Sequence, residues 1–126
     1  MSDRQERVRQ AFAALDDGNL EPFEVLLAPN AQWIAIPQGD VAETPTCASR
    51  SAILQRLERV HRNGRRFELG KMIESGDRVA VEVHLHSPEW SAPVTMYRVF
   101  AFGNDDSVAR LNDCIDESYA LQVLVA

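Results

Sequence analysis

Two charges stand where the alternation of the chain calls for apolar side chains. Arg98 lies among Met96, Phe100 and Phe102, and Asp113 lies among Ala109, Leu111 and Ile115. Side chains two apart on a strand share a face, and a predominantly apolar face packs against a core. An ionised group placed there is costly to desolvate unless it is paired, hydrogen-bonded or lining a polar cavity. On neighbouring strands of a hairpin the two charges would meet in an apolar enclosure, either as a buried ion pair that fixes register or as an acid/base site. In the second case Asp113 takes or gives a proton, and Arg98 orients it or stabilises developing negative charge. Trp33, Val83, Met96, Phe100, Leu111 and Ile115 would then enclose a small apolar molecule.

The elements that must position these residues follow from spacing. Val8, Ala11, Phe12 and Leu15 predict a helix from Asp3 to Asp17, stopped by Gly18. Asn19 can cap a second helix bearing Leu20, Phe23, Leu26 and Leu27, with Pro22 tolerated in the first turn and Pro29-Asn30 as its end. A short strand is expected at Gln32 to Ile36 and a loop at Pro37 to Ala48. Ser49 or Ser51 caps a third helix with the stripe Ile53, Leu54, Leu57 and Val60, ended by Asn63-Gly64. Strands are then expected at Arg65 to Glu74, Arg78 to His86, Pro93 to Phe102 and Val108 to the vicinity of Leu121. Helices followed by an antiparallel meander make an α+β domain, with the helices on one face of the sheet. No linker or repeat divides residues 1 to 126, so one domain is expected. The connection Gly103 to Ser107 admits two registers for the last hairpin: Asp113 opposite Tyr97, or opposite Met96 and diagonal to Arg98. The buried-charge argument favours the second.

Composition excludes some functions. A net charge of −6 argues against binding to nucleic acid or to an anionic membrane, since both need a positive field. Arg56, Arg59, Arg62, Arg65 and Arg66 form a basic cluster, read as a solvated helix face because no aromatic residue is interleaved with them. Cys47 and Cys114 have no CxxC spacing and read as reduced thiols of a cytoplasmic protein. No run is long and apolar enough for a membrane span. His84 and His86, with Glu89 nearby, resemble metal-ligand spacing. Val79, Val81, Val83 and Leu85 take the core face of the same strand, however, so the histidines should face outward, toward solvent or another subunit. A second ligand motif is missing, and no cofactor is called for.

Two stretches carry a resemblance. RQAFAALDDGNLEPFEVLLAPNAQW, from Arg9 to Trp33, and MYRVFAFGNDDSVARLNDCID, from Met96 to Asp116, resemble the opening helices and closing hairpin of the nuclear transport factor 2-like superfamily, in its SnoaL-like and ketosteroid-isomerase-like branch. The resemblance implies a cone-shaped barrel: a curved, mainly antiparallel sheet with the N-terminal helices on its concave face, a pocket between them, and homodimerisation through the sheet. The superfamily includes isomerases, cyclases, dehydratases, epoxide hydrolases and binding proteins, so the site must decide. Against ketosteroid isomerases, the three catalytic positions fall on Ala11, Ala35 and Arg98, and all three roles are empty. Against limonene epoxide hydrolases, the closing strand's aspartate falls on Asp113, which is also similar to the acid of SnoaL-type cyclases. The hydrolase's arginine and second aspartate fall on Val83 and Leu85, and its tyrosine and asparagine on Trp33 and Ala35. Two expectations result: an acid/base enzyme on a small apolar substrate using Asp113, or a non-catalytic ligand-binding or dimeric scaffold module.

Overall fold

Ser2 starts the first helix by a reciprocal cap. Its hydroxyl accepts from the Gln5 backbone N–H at 3.1 Å, and the Gln5 side chain accepts from the Ser2 backbone N–H at 3.4 Å. The helix α1 (Asp3–Asp16) buries Val8, Ala11, Phe12 and Leu15 along one stripe. In this computed structural model, which describes residues 1–35 and 45–126, the chain then reverses at Gly18. The φ of +79° there is one that side-chain-bearing residues seldom adopt.

The next stretch departs from the expectation that a helix runs past Leu27. Helix α2 (Glu21–Leu26) ends earlier, and strand β1 (Leu27–Ile34) begins at once. Pro29 explains the change: it disfavours helical backbone at Ala28 and lacks an N–H, which an edge strand tolerates. β1 is such an edge, and its pairing shifts register between Leu27 and Gln32. Ile36 and most of the expected loop lie outside the described residues. Helix α3 (Arg50–Arg62) starts at Ser49, whose hydroxyl accepts from the Ala52 N–H at 3.1 Å, and buries Ile53 and Leu57.

Strands β2 (Arg66–Ser75), β3 (Arg78–His86), β4 (Val94–Phe102) and β5 (Val108–Cys114) complete a five-stranded sheet ordered β1-β5-β4-β3-β2. β1 pairs with β5 in parallel and every other pairing is antiparallel. The fold is α+β, with a curved sheet that does not close on itself. Phe12, Phe23, Ile53 and Leu57 from the three helices share one buried cluster with Val79, Val81, Val83, Met96, Phe100 and Leu111 from the sheet.

The last element corrects the reading of the C-terminus. β5 stops at Cys114, and residues expected to extend it form helix α4 (Glu117–Val125). Asp116 caps this helix, its carboxylate accepting from the Tyr119 N–H at 2.8 Å. Ala120 and Leu124, four apart, bury against Ala80, Val99 and Cys114 on the outer face of the sheet. α4 therefore covers part of the face through which the resemblance implies homodimerisation. Cys47 belongs to the inner cluster and Cys114 to the outer one; both are free and buried.

Burial pushes the Cys114 thiol up to about 12, and the charges of Asp113 and Asp116 add to the effect. At pH 8 a thiol of that kind is roughly one part in ten thousand thiolate. Native Cys114 should therefore react with a disulfide reagent on the order of a thousandfold more slowly than in denaturant. Stopped-flow absorbance on a Cys47→Ala background measures this, and a rate matching the unfolded chain would show that α4 does not shield the thiol.

Candidate active site

β4 and β5 bring the two charges together. Arg98 and Asp113 are direct cross-strand partners, and Arg98 Nε donates to Asp113 Oδ1 at 2.7 Å. Neither register expected from the connecting turn is the one found. Phe102 pairs with Val108, but Ala101 pairs with Arg110, so Ala109 is an extra residue on β5. Continued without that bulge, the pairing would place Asp113 opposite Tyr97, on the wrong step. The bulge moves the register by one and sets Asp113 beside Arg98. Its trace is visible in burial, since Val108 and Leu111, three apart, are both buried while Ala109 and Arg110 are exposed.

The pair is deeply enclosed: the Arg98 side chain is 4% exposed and that of Asp113 is 7%. Across the sheet Arg98 also faces Val81 of β3. Its guanidinium carbon lies 4.7 Å from the centroid of the Trp33 ring, 5.6 Å from that of Phe67 and 5.9 Å from that of Phe12. Aromatic faces attract a cation most strongly where water is excluded, so three rings and one carboxylate compensate the buried guanidinium. Among the described residues its two η nitrogens make no hydrogen bond, and neither does Asp113 Oδ2. One edge of the cation and one oxygen of the acid are thus left for something else to engage.

Trp33, Val83, Met96, Phe100 and Leu111 all lie in the inner cluster, and of these Trp33 has the Arg98 guanidinium over its ring. Trp33 pairs with Leu111, and Leu111 with Phe100, so these three form a row across β1, β5 and β4. Ile115 does not join them. It follows the end of β5 and is 68% exposed, because the chain has left the sheet to enter the α4 cap. Ala109, in the bulge, is likewise turned out of the stripe in which the sequence places it. Among the described residues, surface grooves of about 260 to 480 Å3 open beside α1, α2, α3 and β2 and beside the C-terminal helix, and these are lined by neither Arg98 nor Asp113.

Sequence reading missed the part played by Arg56. It lies on α3 with its guanidinium carbon 4.7 Å from the Trp33 ring centroid, so it is not simply part of a solvated face. Arg65 similarly stacks 5.2 Å from the Trp90 ring centroid, whereas Arg62 pairs with Glu58 at 3.7 Å. The aromatic partners come from other elements, which is why their absence within the arginine run was uninformative. Cys47 is held against this site by backbone bonds with Trp33, of 2.9 Å to its carbonyl and 3.1 Å from its N–H. Burial raises its thiol, Arg56 and Arg59 pull it back, and Asp113 pushes it up.

The histidines are on the outer face. His84 Nδ1 lies 2.9 Å from Thr95 Oγ1, its Nε2 lies 3.4 Å from Glu82, and His86 Nε2 lies 3.5 Å from Glu68. Among the described residues, no group of three or more His, Cys, Asp or Glu side chains could hold a metal ion. Glu82 lies over Gly70, where a Cβ would come within 1.9 Å of its oxygen, and accepts from the Tyr97 hydroxyl at 3.0 Å. That hydrogen bond chiefly holds the Glu82 carboxyl below the ordinary range. A depressed carboxyl favours the folded state at neutral pH and loses that contribution as pH falls through its folded value. Tyr97→Phe should therefore raise the Glu82 titration midpoint in a carbon-13 NMR titration. An unchanged midpoint would assign the effect to the Lys71 backbone N–H and His84.

A family model described as the SnoaL-like domain matches residues 8–111. Among solved structures, a protein from a soil-derived mobile gene cassette is 23% identical, with a TM-score of 0.75 and coverage of 96% of this chain and 95% of that one. A nuclear transport factor 2-like protein of unknown function from Burkholderia pseudomallei is 21% identical, with a TM-score of 0.71 and full coverage of both chains, 100% and 100%. An epoxide hydrolase/cyclase-like enzyme, described for its role in pyran ring formation in the polyether salinomycin, is 15% identical, with a TM-score of 0.70 over 91% of this chain and 92% of that one. Comparison with curated protein sequences gives no match. Such identities speak to the fold, whereas the family match spans most of the chain: this protein belongs to the SnoaL-like domain family.

Proposed function

We propose that the protein is an acid/base enzyme acting on a small, largely apolar molecule bound between the helices and the inner face of the sheet. The observation that carries this reading is the Arg98–Asp113 pair, enclosed by three aromatic rings, with Asp113 Oδ2 and the Arg98 η nitrogens free of described partners. Asp113 would remove a proton from the substrate or return one to it. Arg98 would hold the carboxylate in place through Nε and present its other nitrogens to the oxygen that becomes negative. Isomerisation, ring closure, elimination and epoxide opening all fit that division of labour. The likeness in fold to an epoxide hydrolase/cyclase-like enzyme supports the class.

The test is a turnover screen against cyclic epoxides and cyclisable carbonyl compounds, followed by Asp113→Asn on any substrate found. The asparagine keeps an acceptor for Arg98 Nε but cannot transfer the proton, so kcat should fall by about 10² to 10⁴. Full turnover in a folded Asp113→Asn protein removes Asp113 from the chemistry. The competing reading, a binding module or dimeric scaffold, is favoured by the closure of Arg98 and Asp113 on each other. In that reading the outer face beside α4, carrying Glu82, His84 and Thr95, would be an isologous contact. Sedimentation showing a monomer at every concentration would remove the dimer.

A further inference from the structure

Trp33 gathers cationic groups of which proton transfer by Asp113 employs only Arg98. Arg98 from β4 and Arg56 from α3 both place a guanidinium carbon 4.7 Å from the centroid of its indole ring. Arg59, one helical turn from Arg56, is close enough to act electrostatically on Cys47, which is bonded to the Trp33 backbone. In a chain of net charge −6, the described residues of this region set several positive charges against one carboxylate, that of Asp113. Arg56 and Arg59 form no ion pair among the described residues.

Hydrogen bonding points the same way. The Trp33 Nε1–H is buried without an acceptor among the described residues, and the residue as a whole is only 2% exposed. The η nitrogens of Arg98 and the guanidinium of Arg56 also lack acceptors among the described residues. An indole N–H and a guanidinium can only donate, so these groups cannot satisfy one another. A buried donor without a partner is costly; an acceptor brought from outside would relieve the Trp33 indole N–H, the one such side-chain donor among the described residues, and could engage the half-buried Arg56 beside it. Aromatic walls favour an apolar body on that acceptor. A guanidinium fork matches a planar carboxylate, whereas a doubly charged group would meet stronger repulsion from Asp113.

We propose that the ligand of this site is a small apolar acid, a ring or short chain bearing one carboxylate, received by Arg56 beside the Trp33 indole. The inference rests on the region being a small-molecule site and assigns the charge of what enters it. Arg98 and Asp113 keep their roles; Arg56 is the residue that distinguishes an acid from its neutral counterpart.

Benzoate and benzamide, equal in shape and different in charge, serve as probes. Trp33 is one of two tryptophans, so its fluorescence can be followed alone in a Trp90→Phe background. Benzoate should quench it with an affinity about tenfold above that of benzamide, the difference expected between a charge-assisted and a neutral hydrogen bond. Arg56→Gln should reduce that preference to about twofold or less, and Arg56→Lys should leave an intermediate value, because charge remains without the planar fork. Arg62→Gln, on the same helix but paired with Glu58, should leave the preference intact. Equal binding of the two probes, binding of neither, or an equal loss in Arg62→Gln overturns the proposal. Turnover does not enter this ratio, so the Asp113→Asn result can fail or succeed separately.

Discussion

Asp113→Ala will destabilise the protein by about 3 to 5 kcal/mol, the usual cost of removing one partner of a buried ion pair. The magnitude comes from what remains: an Arg98 guanidinium, 4% exposed in the native fold, that has lost its carboxylate. Aromatic contact from Trp33, Phe67 and Phe12 softens the loss but supplies no acceptor for Nε. For a chain of this length the melting temperature should fall by about 12 to 20 °C. The companion experiment is the double replacement Arg98→Met with Asp113→Leu, which removes both charges while keeping volume. It should recover most of the loss, because buried pairs contribute little beyond an apolar pair of similar size. Urea unfolding of the two variants separates the cases. A loss below about 1 kcal/mol for Asp113→Ala would mean that water reaches the guanidinium freely, and the enclosure described for the site would be wrong. If instead the double variant were as unstable as the single one, the pair would be setting the register of β4 against β5, as a purely structural reading requires.

Much of the fold was legible because it is written in local periodicity. The stripes Val8-Ala11-Phe12-Leu15 and Ile53-Leu57 lie on the observed helices, and the alternation Val79-Val81-Val83 marks β3 and its inward face. The misplaced charges Arg98 and Asp113 were legible for the same reason: an ionised group in an apolar stripe contradicts the pattern around it. Register was not legible, because it turns on one extra residue. Ala109 is a small apolar residue that fits either face, and only Val108 and Leu111, three apart rather than two, betray the bulge. The C-terminal helix was missed because Leu111, Asp113 and Ile115 alternate as a strand does and no Gly or Pro follows to end it before Leu121. The better signal was Asp116 as a cap, with Ala120 and Leu124 four apart. Arg56 shows a different limit. Its stacking partner is Trp33, from a distant strand, and helical spacing within the arginine run carries no information about it.

Phe12→Ala carries the other large effect, about 3 to 5 kcal/mol, and it tests how far the core and the site are one object. Phe12 is 1% exposed, and its ring lies edge-on to three others: Phe23 at 5.2 Å, Phe67 at 5.5 Å and Phe100 at 6.0 Å between centroids. It therefore ties α1 to α2, to β2 and to β4. Truncation removes these contacts and leaves a space that rigid sheet and helix backbones cannot close. The same ring lies under Arg98, at 5.9 Å, so the guanidinium loses one of its three aromatic neighbours. The two losses can be told apart. Phe12→Leu keeps most of the volume and should cost much less, while still removing the ring's attraction for the cation. A double-mutant cycle of Phe12→Leu with Arg98→Met should then show a coupling on the order of 0.5 to 1 kcal/mol. Additive losses within about 0.3 kcal/mol would mean that Phe12 supports Arg98 only by filling space, leaving Trp33 and Phe67 as the rings that compensate its charge.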